Sequence, residues 1–561
     1  MKTHAPRVTL CAAFAALSLT NARADNYYFW TPTDGASWNN TANWQYGEYE
    51  NQSGWVGNVI PGGAGSLVQF LNPGTATYLD APFTVGCVYM NTENNNSLNT
   101  GSGGSLTFDN GVDGPLFCMW GNDVAGREVY VYAPLHGENG LRVYTTGARA
   151  NWRLYNAGTL SGDLVISNNV WCWAYANNVL GASRLNLEPG SRFMVAGGCA
   201  VTNDITAAGV FIQSTSRNAN NNLVTFSGNI TLTGSDSIYA GEEGSPPVTF
   251  NGPITGTNPN GCITFRASNA SATGTPITFN APVSLNGASL GANSDAVLVH
   301  TGARLVVNAP FTWQGGRFRF QAGFIICGAA HVFDTAQSMY LDSNNETTWG
   351  QEFNLNGFDQ RVGGFYGGAN GGAPTLRSHI TTTAPATLTL DIPSGSGGLG
   401  NKSYFDGALT VFKTGEGTQS LTSSSMPNLI DKWVVEDGAL QFGGGAYSAS
   451  AEVCGGKLFG SGTLVFRVNG DTMDQLIMTD GELDLSGFNA AFDVQDMPSY
   501  GDHLILDATA GGTFTPASAD PKLPFLSVSG ELPEGLKLKA GANLKQVWLT
   551  RPLPGTLLLL R

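Results

Sequence analysis

Phe250–Ile254 reads Phe-Asn-Gly-Pro-Ile, and it is one copy of a phrase that recurs along the chain. The phrase consists of a hydrophobic residue, Asn or Asp, Ala or Gly, proline, and a second hydrophobic residue. Further copies are Leu79–Phe83, Phe279–Val283 and Val307–Phe311, and Phe226–Ile230 keeps the form without proline. From Phe226 onward the copies start 24, 29 and 28 residues apart, which is a spacing typical of solenoids.

The phrase has the chemistry of a corner between two short strands. Proline has no N–H to donate inside a sheet, and Asn or Asp hydrogen-bonds the backbone of a turn. Strands as short as Ile277–Phe279 need neighbouring coils to pair with. We therefore predict an all-β chain that forms a right-handed parallel β-helix, a solenoid closed by a terminal β cap module. We expect Phe226, Phe250, Phe279 and Val307 to stack in one column.

Composition agrees with an all-β fold and narrows the partners. Glycine accounts for 74 of the 561 residues, only 12% of the residues are charged, and no long amphipathic helical pattern is present. A chain of β-sandwiches would need longer strands and domain-sized units. The formal net charge is −15, and it becomes −18 when Lys2, Arg7 and Arg23 are removed. This balance argues against nucleic acid or an anionic membrane as a partner.

The start of the chain has the pattern of a signal peptide. Lys2 and Arg7 precede the apolar run Val8–Leu19, and Ala22–Ala24 supplies a small-x-small cleavage site. We predict cleavage at the end of residues 1–24, so that the mature chain is extracellular or on the cell surface, with the periplasm as the alternative. The apolar run is too short to span a bilayer, and we expect no transmembrane segment in the mature chain.

Two segments resemble proteins that carry the autotransporter-associated β-strand repeat. Residues 409–442 begin Leu-Thr-Val-Phe-Lys-Thr-Gly-Glu-Gly-Thr and close with Val-Val-Glu-Asp-Gly-Ala-Leu. This is similar to that family's Leu-x-Lys-x-Gly-x-Gly-Thr repeat. Phe353–Phe365 is similar to the Leu-Asn-Gly-Phe-Asp-Gln phrase found beside the repeat, and the aromatic segment with Trp30, Trp38 and Trp44 resembles the start of such proteins.

The resemblance implies a bacterial β-helix that is exposed outside the cell and carries no catalytic residues. The residues that it marks are fold determinants, at Lys413, Gly415, Gly417 and Gly438, and we expect Gly415 and Gly417 to adopt turn geometry closed to other residues. About 120 residues follow residue 442, which are too few for the carboxy-terminal membrane barrel of autotransporters, so we expect none here.

These observations divide the chain into four parts. We predict a signal peptide at 1–24, an aromatic amino-terminal cap segment at 25–75, a parallel β-helix at 76–460 that includes the repeat at 409–442, and carboxy-terminal coils and a cap at 461–561. The apolar end that starts at Pro554 is either part of this cap or an anchoring tail.

Sites for catalysis or metal binding are sparse in the sequence. The densest acidic group falls in the expected cap, where Asp471, Asp474 and Asp484 are the best candidates for the carboxylate pair of a glycosidase or lyase. No spacing of an EF-hand or zinc site is present, and we predict no catalytic residues, cofactor or metal. Seven cysteines follow the signal peptide, and we expect most of them to be small buried side chains.

Aromatic residues supply the other candidate surface. Trp171 and Trp173 flank Cys172, so they share one face of a strand. If that face points outward, the pair is a possible glycan-stacking platform, and if it points inward, the rings fill the coil.

The leading interpretation is a non-enzymatic, secreted or cell-surface structural protein that resembles an adhesin, whose partner is an extracellular glycan or another cell-surface protein. The alternative is a carbohydrate-active β-helix enzyme, a polysaccharide lyase or hydrolase. A structure distinguishes the two interpretations, because an enzyme needs convergent carboxylates in a groove and a binding protein does not.

Overall fold

The structure is a computed structural model, and it describes most of the chain with interruptions. The described residues are 27–30, 36–47, 56–57, 59–70, 76–111, 114–120, 126–167, 169–215, 222–234, 236–240, 246–257, 263–267, 276–286, 295–299, 303–321, 323–335, 337–341, 351–367, 378–400, 403–421, 428–516, 527–528, 531–541 and 545–554. Within these ranges the regular structure is β-strand, apart from one 3-10 turn at Thr41–Asn43. None of the helical structure found there is long and apolar enough to cross a membrane.

The chain divides into two compact units, Met1–Asn269 with Thr275–Leu290, and Ala270–Gly274 with Gly291–Arg561. In the first unit the strands of successive coils pair in parallel along three faces. The first face contains Tyr27–Trp30, Leu67–Phe70, Cys87–Asn91, Leu116–Trp120, Leu141–Thr145, Asp163–Ile166, Arg184–Leu187, Ile205–Ala207, Ile230–Leu232, Ile254–Thr257 and Val283–Asn286.

The other two faces of the first unit follow the same order. The second face contains Ala36–Ser37, Ala76–Leu79, Asn96–Thr100, Arg127–Val131, Ala150–Leu154, Val170–Ala174, Arg192–Ala196, Phe211–Thr215, Ser237–Ala240 and Ile263–Ala267. The third face contains Pro82–Val85, Ser105–Phe108, Leu135–Gly137 and Thr159–Leu160, and then Ala200–Val201, Val224–Phe226, Val248–Phe250 and Pro276–Phe279. The prediction of a parallel β-helix is confirmed.

The copies of the recurring phrase at Phe226, Phe250 and Phe279 lie at the corner between the third and first faces, whereas the copy Leu79–Phe83 lies between the second and third faces. Phe226, Phe250 and Phe279 are in register on paired strands, and their rings stack with centroids 5.1 and 5.5 Å apart. All three side chains are buried, so the column predicted for these residues is confirmed. Val307 is also buried, on the strand Ala303–Val307 of the second unit.

The aromatic segment at the start of the first unit packs into its core. Trp38 and Trp44 are fully buried, with ring centroids 4.9 Å apart, and Trp38 also stacks on Phe83 at 5.2 Å. The strand Trp44–Tyr46 pairs antiparallel with Tyr27–Trp30 and with Val56–Gly57. This antiparallel pairing interrupts the parallel ladder at that end of the unit, as a cap requires. The predicted signal peptide, the cleavage site, Cys262 and His300 lie outside the described residues.

The second unit is built in the same way. One parallel set contains Asp295–Val299, Arg317–Phe320, Met339–Leu341, Phe365–Gly367, Ser396–Leu399, Thr418–Leu421, Ala439–Phe442, Lys457–Gly460, Glu482–Asp484 and Thr513–Thr515. A second set contains Ala303–Val307, Gly323–Cys327, Gln351–Asn354, Gln360–Val362, Ser378–Thr381, Ala386–Asp391, Ser403–Thr414, Leu429–Val435, Ala451–Val453, Leu476–Met478 and Gly501–Asp507. A third set contains Ala446–Ser448, Gly462–Asn469, Phe488–Asp496 and Ser527–Val528.

The second unit ends in antiparallel pairing. Gln546–Arg551 runs antiparallel to both Gly501–Asp507 and Lys537–Ala540, whereas Gly501–Asp507 still pairs in parallel with Leu476–Met478. The change of direction stops the parallel ladder, and it agrees with the predicted terminal β cap module. The two remaining strands of the unit are Phe311–Gln314 and Thr472–Met473.

Lys413, the charged residue of the repeat, points into the coil. It lies in register between Leu390 and Val435, and its side chain has no exposed surface. Its Nζ donates hydrogen bonds to the carbonyl oxygens of Thr414 at 2.6 Å, Gly415 at 2.7 Å and Asp437 at 3.2 Å. The lysine therefore donates hydrogen bonds to buried carbonyl groups at a coil corner. Without a donor these carbonyl groups would be costly to bury.

The glycines of the repeat are required for two different reasons. Gly415 and Gly438 have positive φ angles of 75° and 61°, which favour glycine. Gly417 is not in that region, so the expected turn conformation holds for Gly415 alone. At Gly417 the constraint is space, because a Cβ there would lie 2.5 Å from Cγ2 of Ile392.

Candidate functional site: an arginine–aromatic ladder

Trp171 and Trp173 lie on the outer side of the strand Val170–Ala174. Cys172 between them is fully buried in the coil, and burial raises the pKa of its thiol. Because successive strand residues point to opposite sides, the two indoles project outward. The sequence left both orientations open, and the structure places the pair on the outer side.

The outward residues around these tryptophans form a continuous surface on the second face of the first unit, which we call the arginine–aromatic ladder. Its strands are Arg127–Val131, Ala150–Leu154, Val170–Ala174 and Arg192–Ala196, paired in that order. The ladder residues are Glu128, Tyr130, Tyr132, Arg149, Asn151, Arg153, Tyr155, Trp171, Trp173, Tyr175 and Arg192.

Trp171 is held between two guanidinium groups. The Cζ of Arg149 lies 3.8 Å from the ring centroid, and that of Arg192 lies 4.0 Å from it. Arg149 comes from the coil before Trp171 and Arg192 from the coil after it, so the two cations cover opposite faces of the indole. Each contact is a cation–π interaction. A sugar ring could stack on Trp171 only by displacing one of the two arginines.

Trp173 is covered as well, by a buried ion pair and its neighbours. Its side chain is only 5% exposed, the Cζ of Arg153 lies 4.8 Å from its ring centroid, and its Nε1 donates to the side chain of Asn151 at 3.3 Å. Arg153 in turn forms an ion pair with Glu128 and donates to the hydroxyl of Tyr175 at 2.6 Å. The geometry therefore argues against Trp171 and Trp173 as an open glycan-stacking platform.

A column of tyrosines runs beside the tryptophans. The ring centroids of Tyr132 and Tyr155 are 4.4 Å apart and those of Tyr155 and Tyr175 are 4.5 Å apart, with interplanar angles of 23° and 3°. All three side chains are half-buried, so their edges reach the surface. Burial raises the pKa of Tyr155. Burial, together with a hydrogen bond to Glu128, raises the pKa of Tyr130 to about 12.

The three carboxylates considered for catalysis are held in separate local contacts. Asp474 accepts two hydrogen bonds from the guanidinium of Arg467, at 2.9 and 3.1 Å. Asp471 accepts from the backbone N–H of Ser499 at 2.7 Å, and this bond lowers the pKa of Asp471. Asp484 accepts from Ser486, which lowers the pKa of Asp484. A general acid needs a raised pKa, so these environments favour a structural role.

Among the described residues Asp236 is the carboxylate whose pKa is raised, and burial is the main cause. It accepts hydrogen bonds from the backbone N–H groups of Val210 at 3.0 Å and Gly234 at 3.1 Å. These bonds tie a turn of one coil to the next coil. Asp236 is 1% exposed, so a substrate cannot reach it without a rearrangement of the turn.

Histidines and cysteines occupy scattered positions. His136 lies 2.6 Å from the hydroxyl of Thr159, and the Nε2 of His503 lies 3.8 Å from Asp471. No disulfide joins two of the described cysteines, which are buried except for the partly exposed Cys454. Over the ranges that the structure describes, no group of three His, Cys, Asp or Glu side chains is placed to hold a metal ion.

The ladder concentrates positive charge and aromatic surface on one face. The ladder contains three arginines and one carboxylate, Glu128, in a chain whose net charge is −15. Sequence reasoning found Trp171 and Trp173 but missed Arg149, Arg153 and Arg192, which lie in neighbouring coils and are distant from the two tryptophans along the chain. Searches of protein-family models, curated proteins and solved structures found no match to this chain.

Proposed function

We propose that this chain is a non-enzymatic structural protein of the secreted fraction or the cell surface, with an adhesin-like role. The observation that carries the proposal is the repetition of like side chains along the outside of the first unit. Tyr132, Tyr155 and Tyr175 come from three successive coils and stack in one column. A surface that repeats one chemical group over successive coils suits multivalent contact with a glycan or with another surface protein.

Hydroxyl groups repeat along the same unit. Thr225, Thr249 and Thr278 are in register on the outer side of the third face. On the first face the in-register residues are Thr231, Thr255 and Ser284, which are all exposed. These columns are uncharged and rich in donors and acceptors, which is suited to the hydroxyl groups of sugars.

Export is proposed on the basis of the sequence. The pattern of a signal peptide at residues 1–24 and the resemblance of residues 409–442 to the autotransporter-associated repeat both favour a location outside the cell. No disulfide joins two of the described cysteines, and burial of all of them except Cys454 shields these side chains from oxidation wherever the chain is located.

An enzyme of the polysaccharide lyase or hydrolase class is the alternative. It would require two carboxylates, one of them with a raised pKa, within about 5 to 10 Å of each other across a substrate groove. Asp474 is instead paired with Arg467, and hydrogen bonds from Ser499 and Ser486 lower the pKa of Asp471 and Asp484 respectively. These contacts support a non-enzymatic role.

The test compares binding with turnover in one preparation. Purified full-length protein is applied to a glycan array, and the same protein is screened for reducing ends and unsaturated products over pectin, alginate and sulfated glycans. We expect binding without turnover. Turnover that is lost in Asp474→Asn and retained in Asp480→Asn, a variant at an exposed turn, would overturn the proposal.

A further inference from the structure

Two stacked tyrosines lie on the outer side of the second unit. Tyr340 and Tyr366 are in register on paired strands, and their ring centroids are 5.0 Å apart with an interplanar angle of 13°. From the preceding coil, the Cζ of Arg317 lies 5.2 Å from the ring centroid of Tyr340. The stack therefore begins at a guanidinium, and its other end is the second face of the Tyr366 ring.

The next outward position beyond Tyr366 is occupied by glycine. Gly367 pairs with Leu399, so Gly398 is in register with Tyr366. No atom lies within 4 Å of the position that a Cβ of Gly398 would take, and its φ is not positive. Within the part of the chain that the structure describes, Tyr340 is the ring that contacts Tyr366. The second face of Tyr366 thus borders an open space one coil wide, and neither crowding nor backbone conformation explains the glycine.

The far side of this space is polar. Ser420 is in register with Gly398, and Gln441 is in register with Ser420. The Oγ of Ser420 donates a hydrogen bond to the side-chain oxygen of Gln441 at 2.8 Å. We call the space between Tyr366 and Ser420, above Gly398, the glycine slot. Its lining combines an aromatic wall, a backbone floor and a wall of hydroxyl and amide groups, and all four residues are uncharged.

A buried clamp inside the coil holds the two walls of the slot. The side chain of Gln419 has no exposed surface, and its amide donates to the carbonyl oxygen of Phe365 at 3.0 Å and accepts from the N–H of Phe365 at 3.0 Å. This side chain passes Gly397, where a Cβ would lie 2.8 Å from its Oε1. Phe365 and Gln419 directly precede Tyr366 and Ser420 in the chain, so the clamp fixes the walls in position. A rigid slot loses little conformational entropy when a ligand binds.

The dimensions of the slot suit one ring. Neighbouring coils are about 4.8 Å apart, which is close to the 5.0 Å between the rings of Tyr340 and Tyr366. A flat ring stacked on Tyr366 therefore takes the level of Gly398, and a large side chain at that position would exclude it. A glycine inside a strand often marks the close approach of a ligand.

The lining of the slot favours a neutral sugar as this ring. A pyranose whose hydroxyl groups are equatorial presents C–H groups on its face and hydroxyl groups around its edge. The C–H groups match the electron-rich face of Tyr366, and the hydroxyl groups match Ser420 and Gln441, which both donate and accept. An aromatic side chain of a partner would leave these polar groups without a hydrogen bond. A charged sugar would bring a carboxylate or sulfate group that no residue of the slot balances.

We infer that the glycine slot binds one pyranose ring of a neutral, equatorially substituted glycan. The ring stacks on Tyr366 at the level of Gly398, and its hydroxyl groups bond to Ser420 and Gln441. This inference rests on the proposed adhesin-like function, and it names a binding site and a class of ligand for that function. The contact involves no ion pair, so the affinity is insensitive to the salt concentration.

The experiment titrates the full-length chain with two neutral oligosaccharides in a calorimeter. Cellohexaose consists of pyranose rings with equatorial hydroxyl groups, and an inulin-type fructan of the same length consists of furanose rings. We expect wild-type protein to bind cellohexaose and not the fructan, equally at low and high salt. Tyr366→Ala removes the aromatic wall and should weaken binding about tenfold or more.

A second variant fills the slot instead of removing a wall. Gly398→Tyr places a third ring on the stack of Tyr340 and Tyr366, and it should abolish binding while the melting temperature stays the same or rises. This variant carries the test if Tyr366→Ala does not fold. The matched controls are Tyr500→Ala, which removes an exposed tyrosine of the terminal β cap module, and Thr472→Tyr, which adds a tyrosine at an exposed strand position. Both controls should bind cellohexaose as wild type does.

The inference is overturned if cellohexaose does not bind, if the fructan binds equally, if Tyr366→Ala and Gly398→Tyr both leave binding unchanged, or if Tyr500→Ala causes an equal loss. Displacement of cellohexaose by a lower concentration of a tryptophan-bearing peptide would assign the slot to a protein side chain and would also overturn it. Glycans bound on the array by wild type and by Gly398→Tyr alike would still support the proposed function. An array without any bound glycan, or cleavage of cellohexaose during the titration, counts against the proposed function itself, so the two failures are distinguishable.

Discussion

At the scale of the residue, the repeat is maintained by a few side chains with special environments. Lys413 is the clearest case, because a lysine with no exposed surface lies in a column of apolar residues and donates to three carbonyl groups. Burial lowers the pKa of Lys413 to about 8, against the opposing effect of the charges of Asp437 and Asp391. Two predictions follow from these environments.

The first prediction concerns Lys413→Met. The substitution leaves the carbonyl oxygens of Thr414, Gly415 and Asp437 without this donor, and we expect the free energy of unfolding to fall by about 2 kcal/mol or more at pH 7. Chemical denaturation followed by circular dichroism measures the change. A variant as stable as wild type would show that these carbonyl groups have other partners.

The pH dependence of stability provides a second measurement on this variant. The pKa of Lys413 is about 8 in the folded chain and 10.5 as its ordinary value, so the unfolded chain binds the proton more tightly over that interval. Wild-type stability should therefore rise relative to Lys413→Met as the pH increases from about 8 to 10.5, and this gain is lost as the pH falls through 8. A constant difference across this window contradicts the lowered pKa.

The second prediction compares two glycines. Gly438 has a φ of 61°, and a Cβ there would lie 2.2 Å from the carbonyl oxygen of Gly415. Gly398 has no atom within 4 Å of the corresponding position and no positive φ. We expect Gly438→Ala to lower the melting temperature by several degrees, at a cost of at least about 1 kcal/mol, and Gly398→Ala to be neutral or slightly stabilising. Equal effects would refute the steric argument.

At the scale of the element, the strands are stable because of their neighbours in adjacent coils. Val248–Phe250 has three residues, which is too short for a stable strand on its own. It is paired on both sides, by Val224–Phe226 and Pro276–Phe279. The inner side is apolar and packed and the outer side is polar, so substitutions on the two sides of one strand should have different effects.

The third prediction tests this difference at neighbouring positions. Phe250→Ala removes the central ring of the Phe226–Phe250–Phe279 column, and we expect it to lower the free energy of unfolding by about 3 to 5 kcal/mol. Thr249→Ala, at the adjacent outward position, should change it by less than about 0.5 kcal/mol. Denaturant titrations of both variants check this, and similar losses at the two positions would contradict the assigned inner side.

At the scale of the whole molecule, the chain forms two compact units that use the same construction. Each unit stacks short parallel strands, and the second one ends where Gln546–Arg551 pairs antiparallel with its neighbours. The capping of a ladder by reversed strands limits end-to-end association of exposed strand edges.

The fourth prediction concerns the mature chain. Residues 1–24 have the pattern of a signal peptide, so we expect exported protein to begin at Asp25. Amino-terminal sequencing of protein recovered from outside the cytoplasm measures this. Leu17→Arg places a charge in the apolar run and should keep the chain inside the cell. Exported protein that retains the first 24 residues would contradict the secretion argument.

Periodicity made the fold predictable from the sequence. The alternation of apolar and polar residues predicts the inner side of the coil. The recurring phrase at Phe226, Phe250 and Phe279 predicts the repeat of the coil and the position of its corner. Both are visible in the sequence because the contacts that they serve repeat from one coil to the next. The sequence predicted that Lys413 is a fold determinant, because residues 409–442 resemble a known repeat. It did not predict that the side chain points into the coil. Gly417 shows the same limit, since its need for space comes from Ile392 on another strand.

The sequence by itself determined that Trp171 and Trp173 share one face, because side chains alternate along any strand. Only the tertiary structure decided what covers that face. Arg149 and Arg192 lie 22 and 21 residues from Trp171 along the chain, and they contact it because the register of three paired strands brings them there. The register of the paired strands determines which side chains of neighbouring coils are in contact. Because the length of the coils varies, this register depends on the loops as well as on the strands. Which residues form the ladder therefore depends on how the coils stack, and it cannot be inferred from any single segment of the sequence.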